Sequence, residues 1–273
     1  MVRVGFIGLG SQGGPMARRI VEEGYPLTIW GRRPETIMPY ADTAAIVVET
    51  PAEVGAASDL VGICVVADAD VVDVLLRPDG VLAGMAPGGI VAIHSTVHPD
   101  ICRRLAETAA GRGVRLVDAP VSGGGVAASE GRLLVMAGGD EAALTRCRPV
   151  FGTFGNPVIH LGELGSGQVA KALNNLVFTA QLALTLDTFA FADGLGVDRA
   201  ALADVLMHGT GGSRATEILA RSGFDTTGLE QAAALLRKDV DIALALAEAA
   251  GAPPPAVVAE VASTALTMLG HLR

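Results

Sequence analysis

The chain is poor in cysteine, in aromatic residues and in charge. Its three cysteines, Cys64, Cys102 and Cys147, are scattered through 273 residues. They are too few for a disulfide framework, and no Cys-x-x-Cys pair suggests zinc. We read them as small buried apolar residues. The five histidines are equally dispersed. His94 and His98 are four apart, but Pro99 and the strand-like run around His94 deny them a common helical face, so no metal site is expected. Basic residues are outnumbered: 20 Lys and Arg against 29 Asp and Glu give a formal charge of −9. A nucleic-acid binder needs a basic stripe that displaces counterions, so that class is set aside. The longest apolar stretch, residues 176–192, is interrupted by Gln181, Asp187 and three threonines, so no membrane span is expected. No charged lead-in and cleavable apolar run precede the first strand-like segment, and the expectation is a cytoplasmic protein.

What is present is apolar. Half of the residues are hydrophobic, and 35 are glycine. That composition excludes disorder as the main state, and a chain of this length buries roughly three quarters of its unfolded surface without staples. Up to about residue 160, short β-branched runs (VRVGFIG, PLTIWG, AAIVVE, LVGICVV, GIVAIHS, VRLVDAPV, LLVMAGG) alternate with helical runs such as PMARRIVEEG, ADVVDVLLR and DICRRLAETAAGRG. Strand–helix alternation predicts βαβ units and a mainly parallel sheet. Continuous apolar strands such as LVGICVV predict a sheet covered on both faces. After the turn-rich GELGSGQ the pattern becomes helical throughout. A helix from Ser166 to Asp193, roughly 28 residues and about 42 Å long, is predicted first, with four more helical runs behind it. We therefore expect an α/β Rossmann domain over residues 1–162 and an all-α domain over 163–273, joined by the long helix.

Gly8-Leu9-Gly10-Ser11-Gln12-Gly13 is a G-x-G-x-x-G between a strand and a helical run. In that setting Gly8 permits a tight turn, Gly10 lets a pyrophosphate approach the backbone, and Gly13 lets the helix pack near the strand. The helix N-terminus then offers free N–H groups to phosphate. The second strand ends in Gly31-Arg32-Arg33 rather than in the Asp or Glu that binds a ribose 2′-hydroxyl. Two guanidiniums suit a 2′-phosphate, so NADP is expected ahead of NAD.

Three further segments accompany the glycine loop: Asp118-Ala119-Pro120-Val121-Ser122-Gly123-Gly124, Gly165-x-Gly167-x-x-x-Lys171-x-x-Asn174-Asn175, and Lys238-Asp239. Together they resemble the β-hydroxyacid dehydrogenase family, over nearly the whole chain and in the right order. The resemblance implies a Rossmann domain, a helical domain and an active site between them. It implies Lys171 as the catalytic residue, with Asn175 holding the substrate beside it. It places the substrate carboxylate on Ser122, Gly123 and Gly124, Thr96 by the nicotinamide ribose, and Val65 and Val66, ending the fourth strand, against the cofactor. Lys238 would reach cofactor or substrate from the helical domain. It also implies a homodimer or homotetramer. Val65-Val66 stands where many members carry Leu-Pro, Gly31 stands for the usual Asn, and residues 213–238 form a shorter segment than in the family.

The residues support the same chemistry independently. Gln168, Lys171, Asn175 and Phe178 share one helical face. A lysine brought near neutral pKa by its surroundings can move the proton that accompanies hydride transfer. Ser122 with the Gly123 and Gly124 amides suits a small carboxylate substrate. Asp118 reads as a structural cap on that carboxylate loop. Two other readings stay open. One is an imine reductase, although such enzymes usually replace the lysine. The other is a dinucleotide-binding scaffold without catalysis.

Overall fold

The computed structural model describes residues 1–253 and 255–270. The chain divides into two compact units, Met1–Lys171 and Ala172–Arg273.

The first unit is built on six parallel strands: β1 (Val4–Ile7), β2 (Leu27–Trp30), β3 (Ile46–Val47), β4 (Leu60–Ile63), β5 (Ile90–Ile93) and β6 (Arg115–Asp118), in the order β3-β2-β1-β4-β5-β6. The connections carry helices α1 (Gly13–Glu22), α2 (Pro34–Ile37), α3 (Pro51–Ala57), α4 (Asp68–Leu76), α5 (Val81–Gly84) and α6 (Pro99–Ala110). The central strands β1, β2, β4 and β5 are buried along their whole length. Their side chains alternate between two cores. Val4 and Phe6 join one cluster with Met16 and Ile20 of α1, and Ile7 joins the other with Val54 and Val71. This is the doubly covered parallel sheet that the continuous apolar runs predict.

The seventh predicted strand lies elsewhere. LLVMA forms β8 (Leu133–Ala137) of a separate three-stranded sheet with β7 (Val121–Ser122) and β9 (Gly155–His160). β7 pairs with it antiparallel and β9 parallel. Helices α7 (Gly124–Ser129) and α8 (Glu141–Phe151) complete this subregion. Asp118 ends β6, and the chain bends before Val121 starts pairing with Val135.

The second unit is helical: α10 (Arg199–His208), α11 (Arg214–Arg221), α12 (Thr227–Ala249) and α13 (Ala256–Met268) follow α9 (Ser166–Gly194), which has 29 residues. Positions 271 and 272 of the last predicted helical run lie outside the described residues. By length and composition α9 could cross a bilayer. Instead, Ala172, Leu176, Ala180 and Ala183 on one of its faces pack with Leu236 and Val240 of α12 and Leu266 of α13.

The division at Lys171 falls inside α9. The first turn of α9 is bonded to the α/β unit: the buried Asp118 carboxylate accepts the backbone N–H groups of Gly165 and Gln168.

Candidate active site

Parallel sheets present ligand sites at the carboxyl ends of their strands, where the strand order reverses. Here the reversal lies between β1 and β4. The backbone at Gly8 has φ +99°, which favours glycine. A Cβ there would stand 2.2 Å from the Cys64 carbonyl oxygen, just past β4. A Cβ on Gly13 would stand 1.9 Å from the Gly8 carbonyl oxygen. The fold itself therefore requires both glycines. Gly10 differs: it is exposed, and a Cβ there would meet nothing within 4 Å. α1 starts at Gly13 without a side-chain cap, its N-cap residue being the half-buried Gln12. Leu9 is buried and Ser11 exposed. The loop thus forms an open cradle at an uncapped, positive helix end, which fits a dinucleotide phosphate.

At the end of β2, Gly31 is half-buried, and Arg32 and Arg33 are exposed. Arg32 Nη2 donates to Asp70 Oδ1 at 2.8 Å, and Arg33 Nε lies 3.6 Å from Glu35. The sequence shows no acid at this strand end, yet the fold delivers Asp70 to it from the first turn of α4.

A buried hydrogen-bonded belt joins the next three strand ends. Past β4, the Val65 N–H donates to Ser95 Oγ at 2.8 Å. Past β5, the Ser95 carbonyl accepts from Gln168 Nε2 at 2.8 Å, and the Val97 N–H donates to Gln168 Oε1 at 3.1 Å. At the end of β6, Asp118 Oδ1 accepts the Gly165 N–H at 2.7 Å, and Oδ2 accepts the Gln168 N–H at 2.8 Å. Ser95, Asp118 and Gln168 are buried, and Thr96 is half-buried between the two residues that Gln168 grips. Val65 and the exposed Val66 lie in the loop beyond β4 rather than at its end, because pairing stops at Ile63. Asp118 caps the long helix and not the carboxylate loop: its oxygens point at the amides that open α9. Burial pushes its carboxyl above the usual range, and the backbone N–H groups oppose that shift.

Ser122 is half-buried at the end of β7, followed by Gly123, with φ +133°, and Gly124, both exposed. Lys171, in the second turn of α9, is only 8% exposed. Within the helical unit, Asn175 and Asp239 are both buried, and Asn175 Nδ2 donates to Asp239 Oδ2 at 2.5 Å. Asn174 Nδ2 donates to Asn175 Oδ1 at 3.0 Å, and the Lys238 ammonium lies 3.4 Å from Asp239 Oδ1. The Asn175 amide is therefore held from both ends.

His94 is buried against Phe6, Phe151 and Phe154, with its Nδ1 on the Ala119 carbonyl at 2.8 Å. Desolvation pushes its pKa down to about 4, so it is neutral near pH 7. His208 is exposed on α10. All three cysteines are free thiols, and burial raises Cys64 and Cys147 to about 12. No group of three metal-ligating side chains occurs among the described residues.

The spacing along α9 puts Gln168 on the Lys171 face, but its partners Ser95 and Val97 leave no mark in the sequence. The lysine content is low. Of the 20 Lys and Arg residues, only Lys171 and Lys238 are lysine. Of the two cationic side chains, the lysine amine is the one whose pKa shifts readily on burial.

A family model described as the NAD binding domain of 6-phosphogluconate dehydrogenase matches residues 3–162, and one described as NAD-binding of NADP-dependent 3-hydroxyisobutyrate dehydrogenase matches residues 165–271. The chain belongs to the β-hydroxyacid dehydrogenase family. The chain is 31% identical to the 3-hydroxyisobutyrate dehydrogenase of Pseudomonas aeruginosa over 266 residues, 93% of this chain and 88% of that protein. It is 34% identical to the NAD-dependent L-serine dehydrogenase of the same organism, over 80% of this chain and 73% of that protein. Among solved structures, the Mycobacterium tuberculosis 3-hydroxyisobutyrate dehydrogenase with L-serine superposes with a TM-score of 0.83 at 28% identity, covering 99% of this chain and 93% of that one. The family membership makes the protein an NAD(P)-binding oxidoreductase.

Proposed function

We propose that this protein transfers hydride between NADP(H) and a small β-hydroxyacid or its semialdehyde, with Lys171 as general acid and base. The observation that carries the reading is the buried Lys171 amine, on the same helix as Asn175 and one turn before it, in a chain that otherwise keeps lysine only at position 238. The two named relatives act on 3-hydroxyisobutyrate and on L-serine. Both compounds carry a primary alcohol β to a carboxylate, and that pattern defines the substrate class.

The nicotinamide, when bound, gives or takes the hydride. Gly8, Leu9, Gly10, Ser11, Gln12 and Gly13 hold the pyrophosphate, and Gly31, Arg32 and Arg33 take the adenosine end with its 2′-phosphate. Val65, Val66 and Thr96 line the nicotinamide side, and Lys238 takes part in holding cofactor or substrate. Ser122 with the Gly123 and Gly124 amides binds the substrate carboxylate. In oxidation, neutral Lys171 takes the hydroxyl proton; in reduction, its ammonium donates that proton to the carbonyl oxygen. Asn175, with one Nδ2 hydrogen committed to Asp239, offers the other to the same oxygen. Leu173, Val177, Leu184 and Phe191 form an exposed apolar stripe on α9, which supports assembly as a homodimer or homotetramer.

The test is a panel of succinic, methylmalonic and tartronic semialdehydes with NADPH, and of 3-hydroxyisobutyrate and L-serine with NADP, beside a cyclic imine. Lys171→Ala is expected to lose on the order of 10²–10⁴ in kcat and to keep NADPH binding. A near-normal kcat in that variant, or turnover of the imine alone, overturns the reading.

A further inference from the structure

We propose that Gln168 is a positioning residue for the reaction, setting where Lys171 stands relative to the loops past β4 and β5 that carry Val65 and Thr96. This rests on the reading of Lys171 as the acid–base group.

Gln168 is fully buried, and its amide has both ends engaged. The direction of the amide is not free. The Val97 N–H can only donate and the Ser95 carbonyl can only accept, so Oε1 must face Val97 and Nε2 must face Ser95. These two peptide groups flank Thr96. A single side chain therefore holds the backbone on both sides of that residue. The same residue's backbone N–H is tied to Asp118 Oδ2, which fixes the rotation of the first turn of α9 about its axis. Lys171 is three residues further along, on the same helical face. A change in how Gln168 seats thus moves the Lys171 amine and the Thr96 loop against each other. Through Ser95 Oγ the belt also reaches Val65. No other polar side chain in the first turn of α9 is bonded in this way: the Ser166 hydroxyl is buried with no hydrogen-bond partner.

A purely structural glutamine would cost stability when replaced and nothing more. A positioning glutamine acts on the chemical step. Hydride and proton transfer need their atoms held to within a fraction of an ångström, and a misplacement of about 1 Å costs on the order of 10²-fold.

The experiment compares wild type with Gln168→Leu, Gln168→Met, Gln168→Glu and Lys171→Ala. It measures kcat and KM, NADPH affinity by fluorescence titration, and the isotope effect with NADPH deuterated at the transferred position. Gln168→Leu is expected to lower kcat on the order of 10²-fold, to raise the isotope effect and to leave NADPH affinity unchanged. Gln168→Met, a flexible and similarly sized chain, covers the case in which leucine does not fold. Gln168→Glu carries the decisive readout between pH 6 and 8.5. A protonated carboxyl can donate to the Ser95 carbonyl as the amide does, whereas a carboxylate cannot. Its kcat relative to wild type is therefore expected to rise toward low pH. Unchanged kcat and isotope effect in the leucine and methionine variants overturn the proposal, as does a Glu-to-wild-type ratio that is flat with pH. If Lys171→Ala is inactive while those variants turn over normally, the Gln168 proposal alone fails. If Lys171→Ala turns over normally, the acid–base reading fails with it.

Discussion

Asp118 and Gly165 are 47 residues apart in sequence, and the Asp118 Oδ1 accepts the Gly165 N–H at 2.7 Å. With the second bond to Gln168, a buried carboxylate sits at the positive end of the longest helix in the protein. A cation near a helix N-terminus is electrostatically unfavourable. The Asp118 carboxylate instead meets two of the backbone donors that a helix start leaves without intrahelical partners.

Asp118→Asn keeps one acceptor oxygen and turns an amide donor against a backbone N–H. A cost of about 1–3 kcal/mol is expected from the unmet buried group. The midpoint of urea unfolding measures it. An unchanged midpoint would show that the two bonds add nothing to the fold.

The glycine loop separates packing from ligand approach. Gly13→Ala drives a Cβ into the Gly8 carbonyl, and a loss of about 1–3 kcal/mol or more is expected. Gly10→Ala meets no protein atom within 4 Å, so its stability should stay within about 0.5 kcal/mol of wild type. Its NADPH affinity should fall. Thermal melts paired with NADPH titration decide both; a Gly10→Ala protein that binds normally would contradict the cradle.

His94 is neutral and buried in the folded chain, with a pKa of about 4 against an ordinary 6.5. Between those values the unfolded chain holds a proton that the folded chain lacks. Stability is therefore intact above about pH 6.5 and falls as pH drops toward 4, by up to about 1.4 kcal/mol per pH unit. His94→Gln can still donate to the Ala119 carbonyl and does not titrate in this range. Unfolding midpoints at pH 7, 6 and 5 should show a flatter slope for the variant.

Arg32 shares its guanidinium with Asp70, whose other oxygen accepts the Ala67 N–H that opens α4. Arg32→Ala is expected to weaken 2′,5′-ADP binding by about 10- to 100-fold, the size of a lost charge-assisted bond, and to leave ADP binding alone. Asp70→Asn releases the arginine and removes a negative charge, so it should tighten 2′,5′-ADP binding and not ADP binding. Calorimetric titration reads both. Equal responses to the two nucleotides would place the 2′-phosphate elsewhere.

Local periodicity carried most of the architecture. The alternation of apolar strands with helical runs, the glycine loop and the long helix from Ser166 all follow from period and turn chemistry within short windows. The placement of Lys171 and Asn175 one turn apart on one helix follows from the same local pattern. The second sheet was not. β7 has two residues, and β9 carries Asn156 and Pro157 on a half-exposed strand, so neither has a period to detect. The polar contacts that orient the site were hidden as well: Ser95 and Gln168 are 73 residues apart, and Asn175 and Asp239 are 64 apart. A hydrogen bond between distant segments repeats nothing along the chain. Sequence alone determined the strand–helix alternation, the glycine loop and the polar residues of the long helix, because each is written in a short window; only the tertiary structure decided which distant backbone groups and carboxylates those side chains meet, because such pairs leave no local pattern.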